Sequence, residues 1–458
     1  MKVIKIGGGS LKGRKDISDI LDLLEERGRG QVIVLSALNG VTDMLIAGMN
    51  RALEEESSIA ETIGALKNRH ILIARHLIPQ GRVYRKYSLG LIQFLGELER
   101  LYYGLSFTRE ITPRISDVIS SYGERLAVDL LASALRSRGL KVTYLMPHKI
   151  GLLTDGKFGD ATALISKCAR NLQGHLRPLL KQGMMVFIPG FFGVSEAGDI
   201  TTFGRGGSDY SAAVVAAAME AEVLEVWKDV PGYMSADPRF VPGARVIPLL
   251  SYDEAAELSY FGAKILHPRT VEPLRKDRLP IAVKNTLNPD APGSLITGRS
   301  KRTRDFIKSV AHDTDIGILK VHASGVGAQP GVLAHVAGHL TGSGINIKSV
   351  VTSQTCISFL LARKDLQAGY HAIGSLKPRS YRRLERIDNA ALVGIVGEGL
   401  LRRKGVAGRC FTAVAEASVN VEMISFGPSR EALYFIVRNQ DLQKAVIAIH
   451  NTFFPTKV

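Results

Sequence analysis

Val3-Ile4-Lys5-Ile6 is a short, almost wholly apolar run, and Gly7-Gly8-Gly9-Ser10 turns off it at once. A helical pattern then extends from Ile17 to Arg27. Gln31 to Leu35 is a second apolar run, ended by Ser36-Ala37-Leu38-Asn39-Gly40, with a helix from about Thr42. Short strands that alternate with helices in this way mark a parallel α/β sheet, because parallel strands need a crossover connection long enough to hold a helix. Ligands of such sheets gather beyond the carboxyl ends of the strands, so the turns after the strands are the places to look.

The rhythm continues. Residues from about 45 to 116 are mostly helical by apolar spacing and read as an insertion covering one side of the sheet. A helix over Ile119 to Arg138 carries Gly123-Glu124-Arg125 in its first half. A strand at Lys141 to Leu145, the turn-rich Gly151 to Phe158, a helix at Ala161 to Leu172 and a strand at Met184 to Ile188 follow. They lead to the loop Thr201-Thr202-Phe203-Gly204-Arg205-Gly206-Gly207-Ser208-Asp209-Tyr210-Ser211, which feeds a buried helix over Ala212 to Ala221. Val223 to Val226 is a strand, and Trp227 to Arg239 is a loop whose prolines, glycine and aspartates exclude it from the core. Tyr252 to Phe261 is a helix, and Ile281 to Lys284 is the last strand before a turn at Pro289 to Gly293. The first domain therefore covers 1–298, and the basic stretch 299–305 is a linker. Beyond it a β–α–β–β order occurs twice, over 306–376 and 387–458, with Gly344-Ile345-Asn346-Ile347 echoed by Ser418-Val419-Asn420-Val421. Repeats of this size without catalytic motifs read as sensor modules.

Cys168, Cys356 and Cys410 lie far apart, form no metal spacing and build no disulfide framework, which points to a reducing cytoplasm. The chain opens on a strand rather than a signal peptide, and no apolar run reaches membrane-spanning length. The formal net charge of +16 raises the question of nucleic acid. Its basic residues are dispersed or sit between elements, with no interleaved aromatics. They read as solvated surface with some pull on anionic substrates.

Three glycines, Arg205 and the Ser208-Asp209 pair at a helix start form a natural anion site: exposed N–H groups, a positive dipole end and a planar guanidinium. The plainer reading is a glycine turn in which Ser208 or Asp209 caps the helix. Lys5 beside Gly7, Gly8 and Gly9 suits bridging phosphate oxygens, or else snorkels to water from its strand. Glu124, Asp209, Asp229 and Asp237 are polar groups on loops or helix starts, fit for an ammonium, a ribose or indirect orientation of Mg2+, or for capping. Ser36 and Thr42 flank a turn, with Thr42 either a substrate contact or an N-cap. Lys264 is a cation for a nucleotide or a surface residue, and His267 before Pro268 reads as structural. No His/Cys cluster marks a metal site, and no nucleophile elbow is present. A set without a strong general base fits phosphoryl transfer onto a carboxylate, which needs no deprotonation.

Taken together and in order, Lys5-Ile6-Gly7-Gly8-Gly9-Ser10, Val34-Leu35-Ser36-Ala37 with Gly40-Val41-Thr42, and Gly123-Glu124-Arg125-Leu126 resemble the aspartate kinases. So do Phe203-Gly204-Arg205-Gly206-Gly207-Ser208-Asp209-Tyr210-Ser211, Asp229-Val230-Pro231-Gly232, Asp237-Pro238-Arg239 and Phe261-Gly262-Ala263-Lys264-Ile265-Leu266-His267-Pro268. The resemblance implies an amino-acid-kinase three-layer sandwich with a mainly parallel central sheet, followed by two ferredoxin-like α+β ACT domains. It implies ATP-dependent phosphorylation of aspartate with Mg2+. It assigns Lys5, Gly8 and Ser208 to the phosphates, with Gly7 and Gly9 in the same turn. Thr42, Glu124 and Arg205 would hold aspartate, with Ser36 nearby, and Asp209 would organise the centre. Asp229, Tyr233, Arg239 and Lys264 would hold ATP, joined by Lys228 and Asp237. Gly331, Val332, Asn346, Ile347, Ser353 and Gln354 would face an effector. ACT units that pair through sheet edges imply a homodimer or higher oligomer.

Four positions depart from the family pattern. Gly9 and Lys228 stand where a Thr and a Thr or Ser are usual. Lys348 and Gln354 stand where lysine-sensing members carry Asp and Glu. A cation and a neutral amide are poor hosts for a lysine ammonium, so threonine or no amino acid is the expected effector. Rival readings are a kinase of another amino-acid carboxylate and a catalytically silent amino-acid-sensing subunit.

Overall fold

A computed structural model describes residues 1–263, 265–298, 306–323, 325–376 and 381–455. The chain divides into two compact units. The first holds 1–233, 248–252 and the described residues from 265 on; the second holds 234–247, 253–263 and the described residues beyond 305.

The first unit is built on an eight-stranded sheet. Its strands lie in the order Val142–Tyr144, Met185–Pro189, Val32–Leu35, Lys2–Ile6, Val223–Lys228, Ile281–Asn285, Ser294–Thr297, Leu249–Ser251. All pairings are parallel except that of Ile281–Asn285 with Ser294–Thr297. Val32–Leu35 and Met185–Pro189 are buried along their whole length, which explains their unbroken apolar runs. Lys2–Ile6 lies at the centre, with Lys5 level with Val34 on one side and Val226 on the other. This register brings the glycine turn to the end of Val223–Lys228, where the Gly7 amide donates to the Trp227 carbonyl at 3.2 Å. Helix Arg14–Arg27 buries Ile17, Ile20, Leu21 and Leu24, the i, i+3, i+4, i+7 stripe of a helix laid on a sheet.

The insertion comprises helices Val41–Glu54, Ser58–Leu77, Arg82–Thr108 and Pro113–Ser120. The helix expected over 119–138 is split: one helix ends at Ser120 and the next is Tyr122–Ser137. Ser121 stands at the break, its hydroxyl bonded to the Val118 carbonyl at 2.6 Å, a local competition that loosens helices. The helix expected over 161–172 is Ile165–Lys181. Residues before it are drawn into a small sheet, with the Ala161 amide on Thr202 O and the Leu164 amide on Leu153 O. That sheet, Leu153–Thr154 with Phe192–Ser195 and Ile200–Thr202, was not expected. The central helix is Gly207–Ala218, so Ser208 and Asp209 occupy its first turn rather than the preceding loop. Trp227 extends the strand that begins at Val223 and is buried, as is Tyr233, although the loop expected there was polar.

The second unit contains two four-stranded antiparallel sheets. One runs Ile347–Thr352, Cys356–Ala362, Ile316–His322, Arg383–Ile387; the other Ser309–Asp313, Ala391–Val396, Ala432–Val437, Met423–Phe426. The first expected repeat thus gives a strand to the second and takes one from the stretch between them. Ser309–Asp313 pairs with Ala391–Val396, and Arg383–Ile387 pairs back onto Ile316–His322. Ile307 and Val310 share the apolar cluster of Ile395, Leu433 and Phe435, which accounts for the first exchange. The second was hidden because Arg383–Ile387 is a partly exposed, charged edge strand that reads as a linker. Helix Leu366–Gly374 also joins this unit.

Candidate active site

Gly206 initiates the central helix at φ +72°, where a side chain is strained, and a Cβ there would lie 2.4 Å from the His267 Cβ. Only glycine makes this turn. Two residues that sequence reasoning missed fix the approach to it. The buried Asp117 carboxylate accepts the Gly159 amide (2.9 Å), the Thr202 amide (2.8 Å) and the Thr202 hydroxyl (2.7 Å). Arg269 donates to Asp160 (2.8 Å), Phe203 O (3.2 Å), Ala161 O (2.5 Å) and Thr162 (2.9 Å), with its guanidinium over the Tyr210 ring. Their partners lie far off in sequence, so only an Asp and an Arg in otherwise plain stretches signalled them.

Beside this turn lies a cavity of about 360 Å3. Lys5, Gly8, Gly9, Ser36, Thr42, Glu124, Arg205, Ser208 and Asp209 all line it, so the structure gathers residues from four separate stretches of sequence. Gly40 takes the N-cap of helix Val41–Glu54 at φ +77°, which leaves Thr42 in the first turn and rules out its reading as the cap. Ser208 Oγ donates to Glu124 Oε1 at 3.2 Å. Glu124 Oε2 is buried and has no hydrogen-bond partner among the described residues. Burial pushes the Glu124 carboxyl up to about 7, although the Ala37 backbone, Ser208 and the Lys5 charge pull the other way. Arg205 is exposed and makes no ion pair among the described residues.

Lys5 Nζ lies 2.5 Å from Asp209 Oδ1, and Lys228 Nζ lies 3.2 Å from Asp209 Oδ2. Burial alone would raise the Asp209 carboxyl, but the charges of Lys5 and Lys228 outweigh it and hold Asp209 below the usual range. Lys5 is held below the usual lysine range by burial, helped by the Lys228 charge and opposed by Asp209. The amides of Gly8 and Gly9 have no acceptor among the described residues. A cation, two free amides and a helix N-terminus therefore converge on one cavity, the arrangement that holds a charged oxyanion.

The remaining site expectations are dispersed. Asp229 takes Lys12 at 2.6 Å, and its Oδ1 is 3.1 Å from where a Gly9 Cβ would stand, so the Gly9 departure leaves room for that carboxylate. Tyr233 is buried and its amide donates to Ser294 Oγ. Asp237 and Arg239 belong to the second unit, where Arg239 forks onto Asp237 and His312 stands 3.7 Å from it. Lys264 lies outside the described residues. Gly331 caps helix Val332–Gly342 at φ +88°, Asn346 and Ile347 stand at the start of edge strand Ile347–Thr352, and Ser353 and Gln354 are exposed in its following turn. Lys348 Nζ is tied to Asp313 Oδ2 at 2.6 Å.

The amino acid kinase family model matches residues 1–285, and an ACT domain model matches 393–453. Aspartokinase 1, chloroplastic, of Arabidopsis thaliana is 30% identical over 464 residues, 99% of this chain and 80% of that protein. The bifunctional aspartokinase/homoserine dehydrogenase of Buchnera aphidicola subsp. Acyrthosiphon pisum is 30% identical over 468 residues. That match takes in 100% of this chain but 57% of the relative, so the chain spans little more than half of such bifunctional proteins. Among solved structures, E. coli aspartokinase III in complex with aspartate and ADP is similar with TM-score 0.81 and 28% identity, over 99% of this chain and 100% of that one. The same enzyme in complex with lysine and aspartate gives TM-score 0.85 at 28% identity, over 99% of each chain.

Proposed function

The chain belongs to the aspartokinases of the amino acid kinase family, and on that premise we propose that it phosphorylates the β-carboxylate of L-aspartate with ATP. A carboxylate oxygen attacks the γ-phosphorus, the bond from that phosphorus to the β–γ bridging oxygen breaks, and 4-phospho-L-aspartate and ADP result. The nucleophile is already ionised at neutral pH, so the residues need only position it and neutralise charge. The observation that carries this reading is the orphaned, buried Glu124 Oε2 in a cavity it shares with Lys5 and Arg205. An α-ammonium answers Glu124, an α-carboxylate answers the guanidinium of Arg205, and the transferring phosphoryl group answers Lys5 with the Gly8 and Gly9 amides. E. coli aspartokinase III has been solved with aspartate and ADP, which supports the same ligands here.

Mg2+ would arrive on the nucleotide. Among the described residues there is no group of three or more His, Cys, Asp or Glu fit for a metal. Asp209 gives both oxygens to lysines and Asp229 is taken by Lys12, so the residues present do not fit a protein-held ion. Magnesium in kinases sits largely on phosphate oxygens and water.

The tail is the proposed amino-acid sensor, with ACT regions at 306–376 and 387–458 beyond a catalytic region at 1–298. Gly331, Val332, Asn346, Ile347, Ser353 and Gln354 are the proposed effector contacts. Lysine is a poor candidate effector, since Lys348 already brings an ammonium to that strand and holds it on Asp313. Assembly as a homodimer or higher through sheet edges, and a cytoplasmic setting, belong to the same proposal. Among the described residues no helix is long and apolar enough to cross a membrane.

The test is ADP release with Mg-ATP across aspartate, glutamate, aspartate analogues and no acceptor, with hydroxylamine to trap the acyl phosphate. Aspartate-dependent hydroxamate is the expected result. Turnover with a different acceptor would replace the substrate, and silence with all of them would leave a sensing subunit. Inhibition by micromolar lysine would overturn the effector reading.

A further inference from the structure

Resting on that reading of the site, we propose that Lys228 is a second phosphate-holding cation, bracketing Asp209 with Lys5 so that the nucleotide's phosphates complete the charge balance. The geometry is specific. Lys5 Nζ sits 2.5 Å from Asp209 Oδ1 and Lys228 Nζ sits 3.2 Å from Oδ2, so one carboxylate serves two ammoniums. Side-chain exposures are 5%, 18% and 8% for Lys5, Lys228 and Asp209. With Glu124, the other carboxylate near Lys5, given to the substrate ammonium, two positive groups and one negative group leave one positive charge uncompensated away from bulk water. A partly buried net charge is costly until a counter-charge arrives.

That counter-charge is an anion at the glycine turn. Lys228 ends the strand beside Lys2–Ile6, and its carbonyl is pinned by the Thr286 amide at 2.8 Å and hydroxyl at 3.1 Å. A Cβ on Gly7 would touch Lys5 Nζ at 3.5 Å and Lys228 Cγ at 3.7 Å, so both lysines border the backbone that presents the free Gly8 and Gly9 amides. A threonine or serine at 228 would give a neutral Lys5–Asp209 pair. Lysine there converts a neutral pair into a standing anion site.

The test is calorimetric titration of the full-length protein with ADP, beside steady-state kinetics. Lys228→Met should weaken ADP binding about 10- to 100-fold, the worth of one charge-assisted contact. KM for aspartate should stay within about threefold, and Lys228→Arg should restore much of the nucleotide affinity. Lys228→Thr serves if the Met variant fails to fold, with a melting curve for each. Unchanged ADP affinity in a folded variant overturns the proposal, including the case in which kcat alone falls, because that outcome makes Lys228 a positioning residue for Asp209. If the wild type ignores aspartate while Lys228→Met still loses ADP affinity, the inference stands and the substrate assignment falls. If aspartate is turned over and ADP affinity is untouched, the inference falls alone.

Discussion

Lys5 Nζ and Asp209 Oδ1 meet at 2.5 Å across a helix start and a strand end that are about two hundred residues apart in sequence. The pair is nearly closed to water. Such pairs contribute little net stability, but loss of one partner is costly because the other charge stays buried. Here Asp209 has a second cation and Lys5 has none so near, which makes the two partners unequal.

Lys5→Met should therefore leave the fold largely intact, since Lys228 still compensates Asp209, while kcat falls by about 10²- to 10³-fold. Asp209→Asn should instead strand two ammoniums side by side and cost about 3–5 kcal/mol. Denaturant titration of both variants checks the contrast, and equal destabilisation would show that Lys228 does not share the carboxylate.

Arg205→Ala should raise KM for aspartate about 10- to 100-fold and KM for ATP far less, because the guanidinium is exposed and without an ion pair among the described residues. Stability should change by no more than about 0.5 kcal/mol. Equal rises in both KM values would move Arg205 onto the phosphates.

Glu124 couples affinity to pH. Its carboxyl sits at about 7 in the fold against 4.5 for an unperturbed glutamate. It must be ionised to hold an ammonium, so kcat/KM for aspartate should drop about tenfold per pH unit below that point. The folded state binds this proton more tightly than the unfolded chain, and stability drains as pH rises from about 4.5 through about 7. Glu124→Gln should flatten the pH profile at low activity, and raise the melting temperature at pH 8 but not at pH 4.5. A variant with the wild-type pH profile would remove Glu124 from the ammonium site.

Gly206→Ala should destabilise by roughly 2–4 kcal/mol, from left-handed backbone strain and the collision with His267. Gly338→Ala, in the exposed middle of helix Val332–Gly342 with open space around it, should stabilise by about 0.5–1 kcal/mol. Thermal melts of the two variants test whether the turn or glycine content in general matters.

The parallel sheet was legible because its central strands are buried on both faces and carry no alternation. The turn at Gly204 and Gly206 was legible because its left-handed conformations admit few other residues. Glu124 is different: nothing local distinguishes it from a solvated helix carboxylate, and only the resemblance to a family raised it. Asp117 and Arg269 were illegible for a physical reason, since each works by gripping backbone 85 and 66 residues away. Ser208 and Asp209 were misplaced by a helical turn because left-handed Gly206, not a polar side chain, begins the helix. The strand Arg383–Ile387 was lost because charge at a sheet edge and charge in a linker look alike.

The strand exchange in the tail has a consequence for how the chain comes into being. Ser309–Asp313 leaves the ribosome first, yet its partner Ala391–Val396 follows about eighty residues later. Ile316–His322 likewise gains its second neighbour only when Arg383–Ile387 emerges. The sheet that takes in Ser309–Asp313 cannot close before the second repeat has been synthesised, the other waits for the stretch just past the first repeat, and a cut ahead of Arg383 leaves each half with a missing strand and a foreign one. The two repeats are copies in sequence but a single object in folding. Selection can tune either half, but neither can be traded away as a cassette.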